Sequence, residues 1–214
     1  MQFHIEPEIS WSSWLKQACI LDGQFTELGE FLQSKLIGGI FIDVPCGLEN
    51  KTAKGDCNVI DVVKMLGVST YIEVDKDAEI LGERLRNPER TVGDMKIQAY
   101  QSDILDFIAQ LQVNRETPKR AIYISGLQPN EDFCSNSDNL STIVIPYLQA
   151  LYDELGRISH VGDLVILNEA NALVSGINEE KYSDIHPSIA LIQHGFICKR
   201  TCPHNKVQIF EKTS

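Results

Sequence analysis

Apolar positions along the chain follow two rhythms. Short, nearly unbroken apolar runs, closed off by Gly, Pro or polar residues, predict buried strands at 38–44, 70–75, 120–125 and 163–168, with a weaker one at 97–101. Between them apolar residues recur at i, i+3, i+4 and i+7. Val59, Val62, Val63 and Leu66 form one such stripe, and Ile104, Phe107, Ile108 and Leu111 another. Residues 143–155 predict a longer apolar helix entered at or just before Pro146. Strands alternating with helices imply right-handed βαβ units, a mostly parallel sheet and the α/β class. The tail breaks the rhythm. Residues 188–193 predict a helix that Gly195 ends, followed by strands at 196–201 and 206–211. Their four-residue link is too short for a crossover, so the sheet closes with an antiparallel hairpin. Over residues 1–37 the spacing of Trp14, Ala18, Leu21, Phe25, Leu28 and Leu32 predicts a helical appendage, interrupted near Asp22-Gly23. It packs on the sheet edge, or acts as a lid over a pocket shaped by Trp11 and Trp14.

Composition narrows the partners. A chain of 214 residues with 43% apolar and 23% charged residues suits one globular domain. Nineteen Lys and Arg against 30 Asp and Glu give a net charge of −11, which repels phosphate backbones and anionic lipid. The expected partner is a small, neutral or cationic molecule, with neither nucleic acid nor membrane. No run of about 18 apolar residues exists, and Met1 to Ser10 show no signal peptide, so a cytoplasmic location is expected. Cysteines 19, 46, 57, 134, 198 and 202 lack framework spacing and read as free thiols. The glycosylation triplets starting at Asn50 and Asn139 are chance matches without export.

In an open α/β sheet, ligands sit beyond the carboxyl ends of the strands, so the residues there are the candidates. The first strand leads into Asp43-Val44-Pro45-Cys46-Gly47, where the glycine lets backbone approach a ligand closely. The second ends in Asp75, with Glu73 on the same face two residues earlier. An acid at that place is suited to ribose hydroxyls. Ser102, Asp103 and Ile104 follow the third strand; Asp103 can accept a hydrogen bond from an exocyclic amine and Ile104 can flank a flat ring. Ser125 and Gly126 follow the fourth and can line an acceptor pocket.

This ordered set over residues 38–214 resembles the class I S-adenosylmethionine-dependent methyltransferases. The resemblance implies a Rossmann-like three-layer αβα sandwich with a mostly parallel seven-stranded sheet, an antiparallel terminal hairpin and added N-terminal helices. It implies that S-adenosylmethionine binds and leaves as S-adenosylhomocysteine. Asp43, Pro45, Cys46 and Gly47 would border its methionine part, and Asp75, beside Glu73, would hold the ribose. Ser102, Asp103 and Ile104 would contact adenine, and Ser125 and Gly126 would lie near the sulfonium and the acceptor. Glu49 stands where the family usually has a second glycine, and Ser125-Gly126-Leu127 replaces the acidic or Asn-Pro-Pro ending seen in many members. The acidic balance favours a small-molecule acceptor. No catalytic base is assigned, and His160, His186 and His194 are scattered.

Other chemistries fit less well. A phosphate loop ending at Lys51-Thr52 would need glycine at positions occupied by Pro45 and Asn50. Gly47 alone does not make a dinucleotide fingerprint, which places a nicotinamide-dependent oxidoreductase behind a methyltransferase. Cys198, Cys202 and His204 lack a fourth metal ligand, and Cys198 and Cys202 read as packing residues on one strand face. The alternative function is a catalytically silent or regulatory binding protein on the same fold, motivated by Glu49.

Overall fold

The structure is a computed structural model, and it describes residues 11–44, 59–111, 119–124, 142, 145–168, 187–202 and 207–214. Helix α1 (Trp11–Cys19), a two-residue ribbon β1 (Ile20–Leu21) and β2 (Gln24–Phe25), and helix α2 (Glu27–Leu36) lead into β3 (Ile40–Val44). There follow α3 (Val59–Met65), β4 (Thr70–Asp75), the short helices α4 (Ala78–Leu81) and α5 (Glu83–Arg86), β5 (Glu89–Val92) and β6 (Met95–Gln101). The chain continues through α6 (Ile104–Gln110), β7 (Arg120–Ile124), α7 (Ile145–Ile158), β8 (Leu164–Asn168), α8 (Pro187–Gln193), β9 (Phe196–Cys202) and β10 (Val207–Lys212).

The main sheet runs in the order β5-β6-β4-β3-β7-β8-β10-β9. Strands β6, β4, β3, β7 and β8 are mutually parallel, and β10 is antiparallel to both β8 and β9. The terminal hairpin therefore inserts its second strand into the sheet. The α/β sandwich and the antiparallel ending are as expected, but the described sheet has eight strands rather than seven. The added strand is β5, paired antiparallel with β6 through the two-residue turn Gly93-Asp94. Gly93 has φ +62, a conformation open to glycine at the first position of a two-residue hairpin turn.

Strand alternation divides the core between the two sheet faces. Ile42, Val44, Ile72, Val74, Ile122 and Val165 pack under α6, α7 and α8. Phe41, Tyr71, Ile97, Tyr123 and Ile166 pack under α1, α2 and α3. The N-terminal helices cover a face, not an edge: Leu15, Ala18, Leu28, Leu32 and Leu36 join that second core. Their interruption is a tight turn in which Asp22 and Gly23 have φ +50 and +78, as a two-residue hairpin of the I′ type requires. Thr26 then caps α2, its hydroxyl accepting from the Gly29 N–H at 3.2 Å. The side chains of Trp11 and Trp14 lie outside the described residues.

The amino ends of β7 and β8 are clamped by a buried ion pair. Arg120 donates from Nη2 to Asp163 Oδ2 at 2.7 Å and also to the Ile158 carbonyl at the end of α7. Asp163 further accepts from the backbone N–H of Arg120 and of His160. Among the described residues no helix is long and apolar enough to cross a membrane.

Candidate functional site

Strand order reverses between β3 and β7, because β4 and β6 extend the sheet one way and β8 the other. Crevices at such a switch point, beyond the carboxyl ends of the strands, are where open α/β sheets take ligands. Asp43 stands there, near the end of β3. Parallel register sets it beside Glu73 on β4 and Tyr123 on β7, all on the face covered by α1–α3. Its side chain is 1% exposed, and Tyr71 donates its hydroxyl to Oδ2 at 2.7 Å. Oδ1 is buried and takes no hydrogen bond among the described residues. Burial pushes the Asp43 carboxyl up to about 8 and outweighs the opposing Tyr71 hydrogen bond. At neutral pH the proton is on Asp43. With Oδ2 accepting from Tyr71, that proton belongs on Oδ1, which makes Oδ1 a buried donor.

Glu73 and Asp75 share that face, as period-2 alternation dictates. Both Glu73 oxygens are engaged. Arg84 of α5 reaches Oε1 at 3.3 Å and Arg90 of β5 reaches Oε2 at 2.6 Å. Arg84 also donates to the carbonyls of Ile80 and Leu81, so the network ties α4 and α5 to the sheet. Glu73, expected beside a cofactor, is thus placed as a cross-link between β4, α5 and β5. Asp75, buried at the end of β4, accepts the Asp77 N–H on Oδ1 at 3.0 Å, and its carbonyl accepts the Ser102 N–H at 2.9 Å. The loop after β6 is thereby held against the end of β4.

Asp103 begins α6 as its N-cap: Oδ1 accepts the Leu105 N–H at 2.9 Å and the Tyr147 hydroxyl at 3.0 Å. Its Oδ2 takes no hydrogen bond from the described residues. Ser102 is partly exposed and turns its hydroxyl to the Asp103 carbonyl. Ile104 is buried in the core under α6 and α7. Asp43, Asp75, Asp103 and Ile104 therefore stand at or just past neighbouring strand ends. Pro45, Cys46, Gly47, Glu49, Ser125 and Gly126 lie outside the described residues. Among the described residues no group of His, Cys, Asp or Glu is arranged to hold a metal ion.

Sequence reasoning missed Tyr71, Arg84, Arg90 and Tyr147. Tyr71 was within reach, since alternation puts it on one face with Glu73 and Asp75. Arg90 needed recognition of the Gly93-Asp94 turn. Tyr147 meets Asp103 across 44 positions, a distance no local pattern encodes.

No family model matches the chain, and no curated protein matches its sequence. Solved structures do match. The chain is similar to an S-adenosylmethionine-dependent methyltransferase from Clostridium acetobutylicum ATCC 824, with a TM-score of 0.50, 10% identity, and coverage of 97% of this chain and 94% of that one. It is similar to yhhF from Escherichia coli, described as a candidate methyltransferase, with a TM-score of 0.50, 11% identity and coverage of 87% and 83%. A candidate rRNA methylase from Clostridium thermocellum matches with a TM-score of 0.50, 13% identity and coverage of 88% and 97%. At such identities the likeness shows the fold alone, a Rossmann-like α/β sandwich.

Proposed function

We propose that the chain binds S-adenosylmethionine at the carboxyl ends of β3, β4 and β6 and transfers its methyl group to a small-molecule acceptor. The observation behind the reading is the set of three carboxyl side chains, Asp43, Asp75 and Asp103, at or just past the carboxyl ends of β3, β4 and β6, beside the switch point of the sheet. The donor and acceptor chemistry fits. A ribose diol and an exocyclic amine need acceptors, and Asp75 and Asp103 are carboxylates with up to four acceptor sites each. A methionine carboxylate needs a donor, and the protonated Oδ1 of Asp43 is one without a protein partner among the described residues.

Bound there, S-adenosylmethionine supplies a methyl group already activated on a sulfonium. The protein's own part is alignment of the acceptor and exclusion of water. In this reading Asp75 holds the ribose, Asp103 accepts from the adenine amine with Ile104 beside the ring, and Asp43, Pro45, Cys46 and Gly47 border the methionine end. Ser125 and Gly126 line the acceptor side. A net charge of −11 supports a small acceptor over a nucleic-acid backbone. Glu49 in the glycine loop favours a second reading, binding without turnover.

Thermal unfolding with S-adenosylmethionine, S-adenosylhomocysteine and NAD tests the proposal. A ligand at 100 times its Kd stabilises by about 2.7 kcal/mol, which raises Tm by about 5–10 °C in a chain of this size. The expected result is a concentration-dependent rise with the first two and none with NAD. No rise with either sulfur ligand refutes the proposal. Binding without methyl transfer across a broad panel of small acceptors favours the second reading.

A further inference from the structure

We infer that Tyr147 is a positioning residue for adenine recognition, acting through Asp103. The inference rests on the adenine assignment of Asp103 proposed above and extends it to a residue on a distant helix. Two donors converge on one oxygen of Asp103. The Leu105 N–H belongs to the helix that Asp103 caps, and the Tyr147 hydroxyl comes from α7 on the same side of the sheet. A capping bond alone leaves a carboxylate some freedom about its last torsion. A second donor from a separate element removes it, and Oδ2 is left without a donor among the described residues.

Tyr147 is suited to this task. It is half-buried on α7, the helix whose Leu148, Leu151, Tyr152, Leu155 and Ile158 pack into the core. Burial and the charge of Asp103 hold its phenol proton well above the ordinary tyrosine range. The hydroxyl therefore stays a donor at neutral pH. A fixed acceptor at Oδ2 favours a base that presents an N–H donor and disfavours one that presents a carbonyl oxygen at the same place. The consequence is selectivity for a 6-amino over a 6-oxo purine.

The test uses calorimetry on the full chain with S-adenosylhomocysteine and S-inosylhomocysteine, which differ only in that group. Four proteins are compared: wild type, Tyr147→Phe, Asp103→Asn and the double variant. Asn caps helices as well as Asp, so the Asp103→Asn helix is kept. The wild type should favour the adenine ligand at least tenfold. Tyr147→Phe should shrink that ratio at least threefold, while adding it to Asp103→Asn should leave the ratio unchanged. A purely structural role for Tyr147 would weaken both ligands alike and leave the wild-type ratio intact, which overturns the inference while cofactor binding stands. Equal affinity of the wild type for both ligands overturns the Asp103 assignment and the inference with it. Failure of the wild type to bind either ligand overturns the proposed function itself.

Discussion

Replacing Asp43 with Asn tests the electrostatics at the end of β3 without any ligand. The two side chains have nearly the same shape, and the Asn carbonyl can still accept from the Tyr71 hydroxyl. The variant differs in having no proton to lose. In the folded protein burial raises the Asp43 carboxyl from its ordinary 3.8 to about 8. The sign follows from linkage. Between those values the folded state holds one more proton than the unfolded state. The stabilisation is complete below pH 3.8 and is lost as pH rises towards 8. The slope is about 1.4 kcal/mol per pH unit, so the wild type should lose about 2.7 kcal/mol relative to Asp43→Asn between pH 5 and pH 7.

Urea unfolding of both proteins, followed by circular dichroism at the two pH values, measures that difference. Contributions from distant titrating groups are common to both and cancel. The nearby charges are Glu73, Asp75 and Arg84, which the substitution leaves in place. Tyr71→Phe supplies a second arm. The Tyr71 hydrogen bond opposes the rise, so removing it should extend the pH-dependent loss to higher pH and cost about 1–3 kcal/mol. Stability curves for wild type and Asp43→Asn that run parallel from pH 5 to 7 would refute the reasoning, because the carboxyl would then be ionised in the folded state.

Three further substitutions probe the fold and the site. Asp75→Ala should weaken S-adenosylhomocysteine binding at least tenfold by calorimetry, the equivalent of about 1.4 kcal/mol, with the far-ultraviolet spectrum unchanged. Asp163→Ala strands a buried Arg120 guanidinium, and urea unfolding should show a loss of about 3–5 kcal/mol. Gly29→Ala places a Cβ against the Cys19 carbonyl and the Phe25 ring, so α2 must shift; a loss of about 1–3 kcal/mol in urea unfolding is expected, and none would mean the ribbon yields freely.

The legible parts of this protein were those written in local sequence. Runs such as Ile40–Val44 announce buried parallel strands because both faces are covered, and the short link before the last strand excludes a crossover. The places of Asp43, Asp75 and Asp103 at or just past strand ends were legible because strand ends follow from strand identity. Two features escaped because long-range geometry decides them. The periodicity of α1 and α2 showed an apolar stripe, yet not whether it covers a face or an edge, which their packing with α3 and the central strands settles. The β5 hairpin was lost inside a polar stretch, although Gly93-Asp94 carried its turn signal.

The missed hairpin changes the chemistry of the site as well as its outline. Counted along the sequence, Asp43, Glu73 and Asp75 suggest a face of charge −3 that would attract any cation. Folded, Asp43 keeps its proton at neutral pH, and Glu73 lies between Arg84 and Arg90. The formal charges of Glu73, Asp75, Arg84 and Arg90 then cancel. Under the proposed function, discrimination at this strand end comes from directed hydrogen bonds more than from bulk attraction: a donor at Asp43 Oδ1, and acceptors at Asp75 and Asp103. That distinction predicts a ligand affinity nearly independent of salt. A fall of tenfold or more in S-adenosylhomocysteine affinity between 50 mM and 500 mM salt would instead mean that unscreened surface charge governs binding.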